Sequence, residues 1–145
     1  MLTAKIKKLN SKAKIPTKGS EKAAGYDLYA CVNNDVLIGP HETVKIGTGI
    51  AVTPPEGYFG AIFARSGLAI KNGLAPANKV GVCDEDYTGE YIVALHNHSD
   101  DCLWVSNGMR IAQLVFLPYI DVNFELTTEL EETERGAGGF GSTGV

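Results

Sequence analysis

Glycine and proline punctuate this chain at short intervals, and that spacing limits what it can become. Ile15-Pro16, Gly39-Pro40, Pro54-Pro55-Glu56-Gly57, Asn72-Gly73 and Pro118 each end one segment and start another. The intervening pieces are short and rich in Val, Ile, Thr and Tyr. Several of them alternate apolar and polar residues, the period of a half-buried strand. Leu2, Ala4 and Ile6 alternate with Thr3, Lys5 and Lys7, and Tyr26, Leu28 and Ala30 with Asp27 and Tyr29. Strands are further expected at Val36 to Ile38, Thr43 to Val52, Tyr58 to Ala64, Tyr91 to His96 and Gly108 to Phe116, with an edge strand possible at Val122 to Leu126. Tyr91 to His96 is almost continuously apolar, whereas around Gly108 to Phe116 the pattern places Ile111, Gln113 and Val115 on the core face. Arg65 to Lys71 is the one helical piece, with Ser66 placed to cap it and Asn72-Gly73 to stop it. These expectations describe an all-β jelly roll or distorted β-barrel with one short helix and a flexible C-terminal arm. Residues 1–125 form the core, and residues 126–145 form an acidic tether and a Gly-rich arm.

At 145 residues the chain fits one domain with one core. Its net charge of -4 argues against a nucleic-acid surface, which needs a clustered basic face, and only the short stretch from Lys5 to Lys22 is basic. The three cysteines, Cys31, Cys83 and Cys102, are odd in number and lack CxxC spacing. They suggest neither a disulfide framework nor a zinc site, and fit a reducing compartment. No apolar run is long enough to span a membrane and no signal-peptide pattern opens the chain, so a cytoplasmic location is expected.

Chemistry concentrates in a few places. Gly81-Val82-Cys83-Asp84-Glu85-Asp86-Tyr87-Thr88-Gly89-Glu90 holds four carboxylates and one aromatic ring. In an extended hairpin Asp84 and Asp86 would face one way and Glu85 and Tyr87 the other, although the stretch also suits a plain polar turn closed by Thr88-Gly89. Asp27 sits within a strand, where an unpaired carboxylate is costly, so it needs a cationic or hydrogen-bonding partner. Arg65, the Ser66 hydroxyl and the backbone N–H groups at the helix start gather donors as an oxyanion or phosphate cradle would, and as a capped turn with a surface arginine also would. Gln113 places an amide in a strand, where it must be paired or serve a ligand. His96, His98, Asp100, Asp101 and Cys102 have metal-ligand types but turn composition. The tail from Arg135 to Gly144 surrounds one Phe with glycines, a disordered composition opposed by that Phe and by an arginine followed by free backbone N–H groups. From Leu126 to Arg135 an extended chain reaches roughly 30 Å, enough to cross to a neighbouring subunit and act as a lid.

Five of these stretches, in order across most of the chain, resemble the homotrimeric dUTPase family. They are Ala24-Gly25-Tyr26-Asp27-Leu28, Ala64-Arg65-Ser66-Gly67-Leu68-Ala69, Gly81 to Glu90, Gly108-Met109-Arg110-Ile111-Ala112-Gln113-Leu114 and Arg135 to Gly144. The resemblance implies a jelly-roll subunit and a homotrimer with three active sites at subunit boundaries, each closed by a neighbour's C-terminal arm. It implies hydrolysis of dUTP to dUMP and pyrophosphate, with Mg2+ on the triphosphate and a water attacking the α-phosphorus. Asp84 corresponds to the general base. Arg65, Ser66, Gly67, Gln113, Arg135, Gly141 and Ser142 correspond to phosphate-binding groups. Asn78 and the backbone around Val82 and Cys83 would read uracil, Tyr87 would underlie the deoxyribose, and Phe140 would stack on the base. Asp27 would hold the metal's water shell or brace Arg110. The chain departs from the family pattern at Ala64, usually Pro, at Cys83, usually aliphatic, and at Lys79, often apolar. Within the Gly81–Glu90 stretch, Glu85 is the acid expected to tolerate change. A dCTP deaminase or bifunctional deaminase-dUTPase shares such a fold but resembles a different hairpin, with Glu as the key acid. A nucleotide-sensing regulator on the same fold is the reading from another class.

Overall fold

The computed structural model describes residues 2–141. Its elements run β1 (Lys5–Lys8), β2 (Thr17–Lys18), β3 (Tyr26–Tyr29), β4 (Val36–Ile38), β5 (Thr43–Thr53), β6 (Tyr58–Phe63), α1 (Ser66–Asn72), β7 (Leu74–Pro76), β8 (Gly81–Cys83), β9 (Glu90–Asn97), β10 (Leu103–Val105) and β11 (Arg110–Pro118). Every pairing is antiparallel. One sheet has the order β1-β5-β9-β7, a second β2-β3-β11-β6-β8, and a two-stranded ribbon joins β10 to β4. Neighbours in these sheets are mostly distant in sequence, the crossover pattern of a jelly roll. No closed barrel forms among the described residues.

All three sheets feed one core. Ile46, Ile50, Val93 and Leu95 come from the first, Leu28, Ile62, Ala112 and Leu114 from the second, and Ile38 and Val105 from the ribbon. Leu28 and Ala30 point inward and leave Asp27 on the opposite face, as the alternation predicts. In β9 the continuous apolar run conceals a true alternation, with Tyr91, Val93, Leu95 and Asn97 inward and Ile92 outward.

Other strands depart from expectation. β1 is exposed along its length, with Ala4 just before it as the residue that packs on the core. In β11 the core face is the reverse of the predicted one: Ala112 and Leu114 are buried, and Gln113 lies on the other side. Ile111 is buried as well, because the register shifts between Arg110 and Ala112 and turns two consecutive side chains inward. No strand forms at Val122 to Leu126, and the described tail after Pro118 carries neither helix nor strand.

Candidate active site

The five-stranded sheet lays β3, β11 and β6 side by side, with Asp27 opposite Gln113 and Gln113 opposite Phe63. That register brings the end of β6 over Asp27. Arg65 Nε donates to Asp27 Oδ1 at 2.8 Å, and Arg110 Nη1 donates to Asp27 Oδ2 at 3.3 Å. A carboxylate only 12% exposed thus meets the need for a partner twice over and holds two guanidiniums in place. Arg65, Gly67, Lys71 and Arg110 line one hollow of about 540 Å³. With three cations on its wall and a single carboxylate pairing two of them, the hollow has positive charge left for an anion. Gln113 Nε2 donates to the Ala64 carbonyl at 2.9 Å, just before Arg65. Gly25 leaves room for that amide, since a Cβ there would collide with the Gln113 side-chain oxygen.

Ser66 is not the cap. Arg65 occupies the N-cap position in extended conformation, φ -85° and ψ 122°, and no side chain bonds the helix start. Ser66 is the first helical residue and is exposed, and apart from its chain neighbours and the helix's own backbone nothing described lies within 4 Å of where a Gly67 Cβ would stand. The helix stops as expected, with Gly73 in the left-handed region at φ 68°.

On the other side of β6, strand β8 ends at Cys83, and Asp84 to Tyr87 form a turn closed by the Tyr87 N–H to the Asp84 carbonyl at 3.2 Å. The extended hairpin and the Thr88-Gly89 closure are therefore both replaced, because a strand's period of two does not continue through a tight turn. Glu85 and Tyr87 diverge. Glu85 Oε2 accepts from the Gly57 N–H at 2.8 Å and from the Tyr119 hydroxyl at 2.7 Å. The Tyr87 hydroxyl donates to the Glu90 carbonyl at 3.0 Å, and its ring packs across Gly89 with the Tyr91 ring 6.3 Å behind. Gly89 is required there, since a Cβ would stand 2.6 Å from Tyr87 Cζ. Asn78, Val82, Asp84 and Tyr87 line a hollow of about 220 Å³, with Cys83 and Tyr91 deeper in its wall. Asp84 is exposed at its rim, and its carboxylate makes no hydrogen bond among the described residues. Burial pushes the Cys83 thiol up to about 11. The Tyr91 hydroxyl, raised by the same cause, lies beside that thiol without completing a hydrogen bond.

The two hollows share no residue. Gly60 pairs with Cys83, so Asp84 sits beside Phe59 at one end of β6, while Arg65 follows the other end. Arg65 lies six residue steps of extended chain beyond Phe59, roughly 20 Å. The tail approaches neither hollow: Arg135 Nε donates to the Gly138 carbonyl at 2.9 Å, and Phe140 and Gly141 stand in solvent. Ser142 lies outside the described residues. The His96 and His98 rings meet at 4.4 Å, His96 Nδ1 bonds the Thr43 hydroxyl, and His41 bonds Asp100. No three His, Cys, Asp or Glu side chains among the described residues are arranged to hold a metal ion. Sequence reasoning gave no role to Tyr91 or Tyr119 and too little to Glu85. The inward alternation of β9 was the signal available for Tyr91; nothing local marks the other two, whose contacts join residues far apart in the chain.

The model of the dUTPase family matches residues 11–144. The chain belongs to the dUTPase family. A deoxyuridine 5'-triphosphate nucleotidohydrolase of Desulfitobacterium hafniense is 51% identical over 133 residues, covering 91% of this chain and 88% of the relative. That of Syntrophotalea carbinolica is 46% identical over 143 residues, covering 99% and 97%. The solved dUTPase of Staphylococcus bacteriophage 80alpha with dUPNHPP superposes with a TM-score of 0.88 at 30% identity, covering 99% of both chains. These relatives support the jelly-roll fold, and as dUTPases they favour a dUTPase over a dCTP deaminase.

Proposed function

We propose that this dUTPase binds the Mg2+ complex of dUTP between subunits and hydrolyses it to dUMP and pyrophosphate. Asp84 takes a proton from a water as that water attacks the α-phosphorus, and the bond to the pyrophosphate oxygen breaks. Arg65, with Ser66, Gly67 and Gln113, meets the charge that develops on the phosphates, and Arg110 strengthens the same field. Asn78 and the backbone from Val82 through Cys83 read the uracil edge, where little room remains for thymine's methyl. Tyr87, fixed by its hydroxyl bond and by Gly89, forms the sugar floor and leaves no place for a 2'-hydroxyl. Arg135, Phe140, Gly141 and Ser142 come from the arm of another subunit, to grip the phosphates and stack on uracil.

The donor set fits a metal that arrives with the substrate. Both Asp27 oxygens are taken by guanidiniums, and Mg2+ commonly keeps several waters while binding phosphates. A metal carried by the triphosphate would supply charge neutralisation on the phosphates. Asp27 is then the brace of Arg65 and Arg110. The reaction lowers dUTP and supplies dUMP for thymidylate synthesis. Three free thiols fit a reducing compartment such as the cytoplasm.

The observation that carries the reading is the distance along β6. A carboxylate acting at the α-phosphorus and an arginine holding the same triphosphate stand roughly 20 Å apart in one chain, so a second subunit must bring them together. Pyrophosphate release measured with dUTP, dTTP, dCTP and UTP in Mg2+ is expected to be rapid for dUTP alone, and Asp84→Asn to abolish it. Comparable rates for UTP, or undiminished turnover by Asp84→Asn, would overturn the assignment.

A further inference from the structure

Three loops remote in sequence meet at one carboxylate. Gly57 belongs to the turn between β5 and β6, Glu85 to the turn after β8, and Tyr119 is the first residue past β11. Glu85 Oε2 accepts from the Gly57 N–H at 2.8 Å and from the Tyr119 hydroxyl at 2.7 Å, while the Tyr119 N–H donates to the Gly57 carbonyl at 3.1 Å. The three bonds close a ring. Within the turn, neither Asp84 nor Asp86 makes a side-chain hydrogen bond among the described residues, so Glu85 is the turn's carboxylate anchor to the rest of the fold.

We propose that Glu85, held by Gly57 and Tyr119, is a positioning residue that fixes the turn carrying Asp84 for attack on the α-phosphorus. The claim rests on Asp84 being the base. The Asp84 carboxylate is exposed and has no hydrogen-bond partner among the described residues, so its aim depends on the backbone beneath it, and Glu85 is the next residue along that backbone. A base must stand within hydrogen-bond reach of its water, and a displacement of one ångström is enough to slow the step severely. The bond from a phenol to a carboxylate is charge-assisted and short, as an aligning tie should be. The Tyr119 hydroxyl is pushed above its ordinary value, with the Glu85 bond as the largest cause, consistent with a proton that Tyr119 keeps donating.

The test compares Glu85→Ala, Glu85→Gln, Tyr119→Phe and the double variant Glu85→Ala with Tyr119→Phe, measuring kcat and KM for dUTP, thermal midpoint and oligomer mass. Glu85→Ala is expected to lower kcat between about ten- and a hundredfold with little change in KM, since the substrate's contacts remain. Tyr119→Phe should lower kcat less. The double variant should be no worse than Glu85→Ala, because both changes remove the same bond. Glu85→Gln should recover most of the lost kcat, because an amide oxygen still accepts from Gly57 and Tyr119. A wild-type kcat in Glu85→Ala with only a lowered thermal midpoint would reduce Glu85 to scaffold and overturn the proposal. So would additive losses in the double variant, or Glu85→Gln as slow as Glu85→Ala. Should Glu85→Ala fail to fold, Tyr119→Phe and Glu85→Gln decide the matter alone. Asp84→Asn in the same assay separates the two readings: undiminished turnover there would remove the base, whatever Glu85 does.

Discussion

Because Asp27 is bonded through both oxygens to Arg65 and Arg110, its removal would free two guanidiniums to follow solvent instead of a phosphate. Asp27→Ala is therefore expected to raise KM for dUTP at least about tenfold, since an uncompensated loss of charge-assisted hydrogen bonds costs on the order of 1.5–3 kcal/mol. Steady-state kinetics at fixed ionic strength checks it, and an unchanged KM would show that the arginines need no brace. The sequence shows that Asp27 needs a cationic or hydrogen-bonding partner; it does not show that two cations answer, because Arg65, just past β6, and Arg110, in β11, are brought together only by the sheet order. Tyr91 is 1% exposed with an unpartnered hydroxyl, so Tyr91→Phe should stabilise the protein by about 1 kcal/mol in urea unfolding at constant protein concentration. Cys83 gives a pH dependence whose sign is fixed. Its folded value of about 11 lies above the usual 9.0, so the folded protein holds the thiol proton more tightly than the unfolded chain does. That contribution is complete below about pH 9 and is lost as pH rises toward about 11. Urea midpoints across that range should fall less steeply in Cys83→Val, and an unchanged slope would count against burial as the cause.

At the scale of elements, turns were more legible than faces. The turn at Pro54 to Gly57 and the helix stop at Gly73 follow from residues whose allowed backbone angles are few, so local chemistry decided them. The core face of β11 did not follow, because Ile111, Ala112, Leu114, Val115 and Phe116 supply apolar side chains to both faces and the shift after Arg110 leaves no mark in composition. The stretch is a turn, one of its two expected forms, but it closes at Asp84–Tyr87 and not at Thr88-Gly89, for a related reason: its acids suit a strand edge or a turn equally, and only pairing with β6 ends β8 at Cys83. Gly89 shows how much one local position controls there. A Cβ at Gly89 would stand 2.6 Å from Tyr87 Cζ and push the ring out of the proposed sugar floor. Gly89→Ala is expected to lower the ratio of kcat/KM for dUTP over UTP by about tenfold or more, chiefly by admitting UTP. A ratio equal to the wild type would remove Tyr87 as the group that excludes the 2'-hydroxyl.

At the scale of the molecule, two features of the chain are accounted for by the proposed trimer. Ile120, Val122, Phe124 and Leu126 alternate with Asp121, Asn123 and Glu125, the pattern of a half-buried strand, yet Phe124 is 96% and Leu126 100% exposed. The pattern was readable in the sequence; its partner was not, because no strand edge of the same chain takes it. Asp84 and Arg65 tell the same story through the length of β6, and the proposed trimer resolves both. Light scattering should give three times the chain's 15.5 kDa for the whole protein, and three times its own smaller chain mass for a truncation before Arg135, which keeps the apolar segment but loses turnover. The decisive test uses two dead enzymes. Asp84→Asn spoils one half of every site, and Arg65→Ala spoils the other. If each site takes Asp84 from one subunit and Arg65 from the next, trimers assembled at random from an equal mixture contain sites with both halves intact. The mixture as a whole should recover about a quarter of wild-type turnover, because each of the two subunits that form a site has an even chance of supplying its sound half. If both residues served one site within a chain, every site would carry one defect or the other, and the mixture would stay as inactive as its parts.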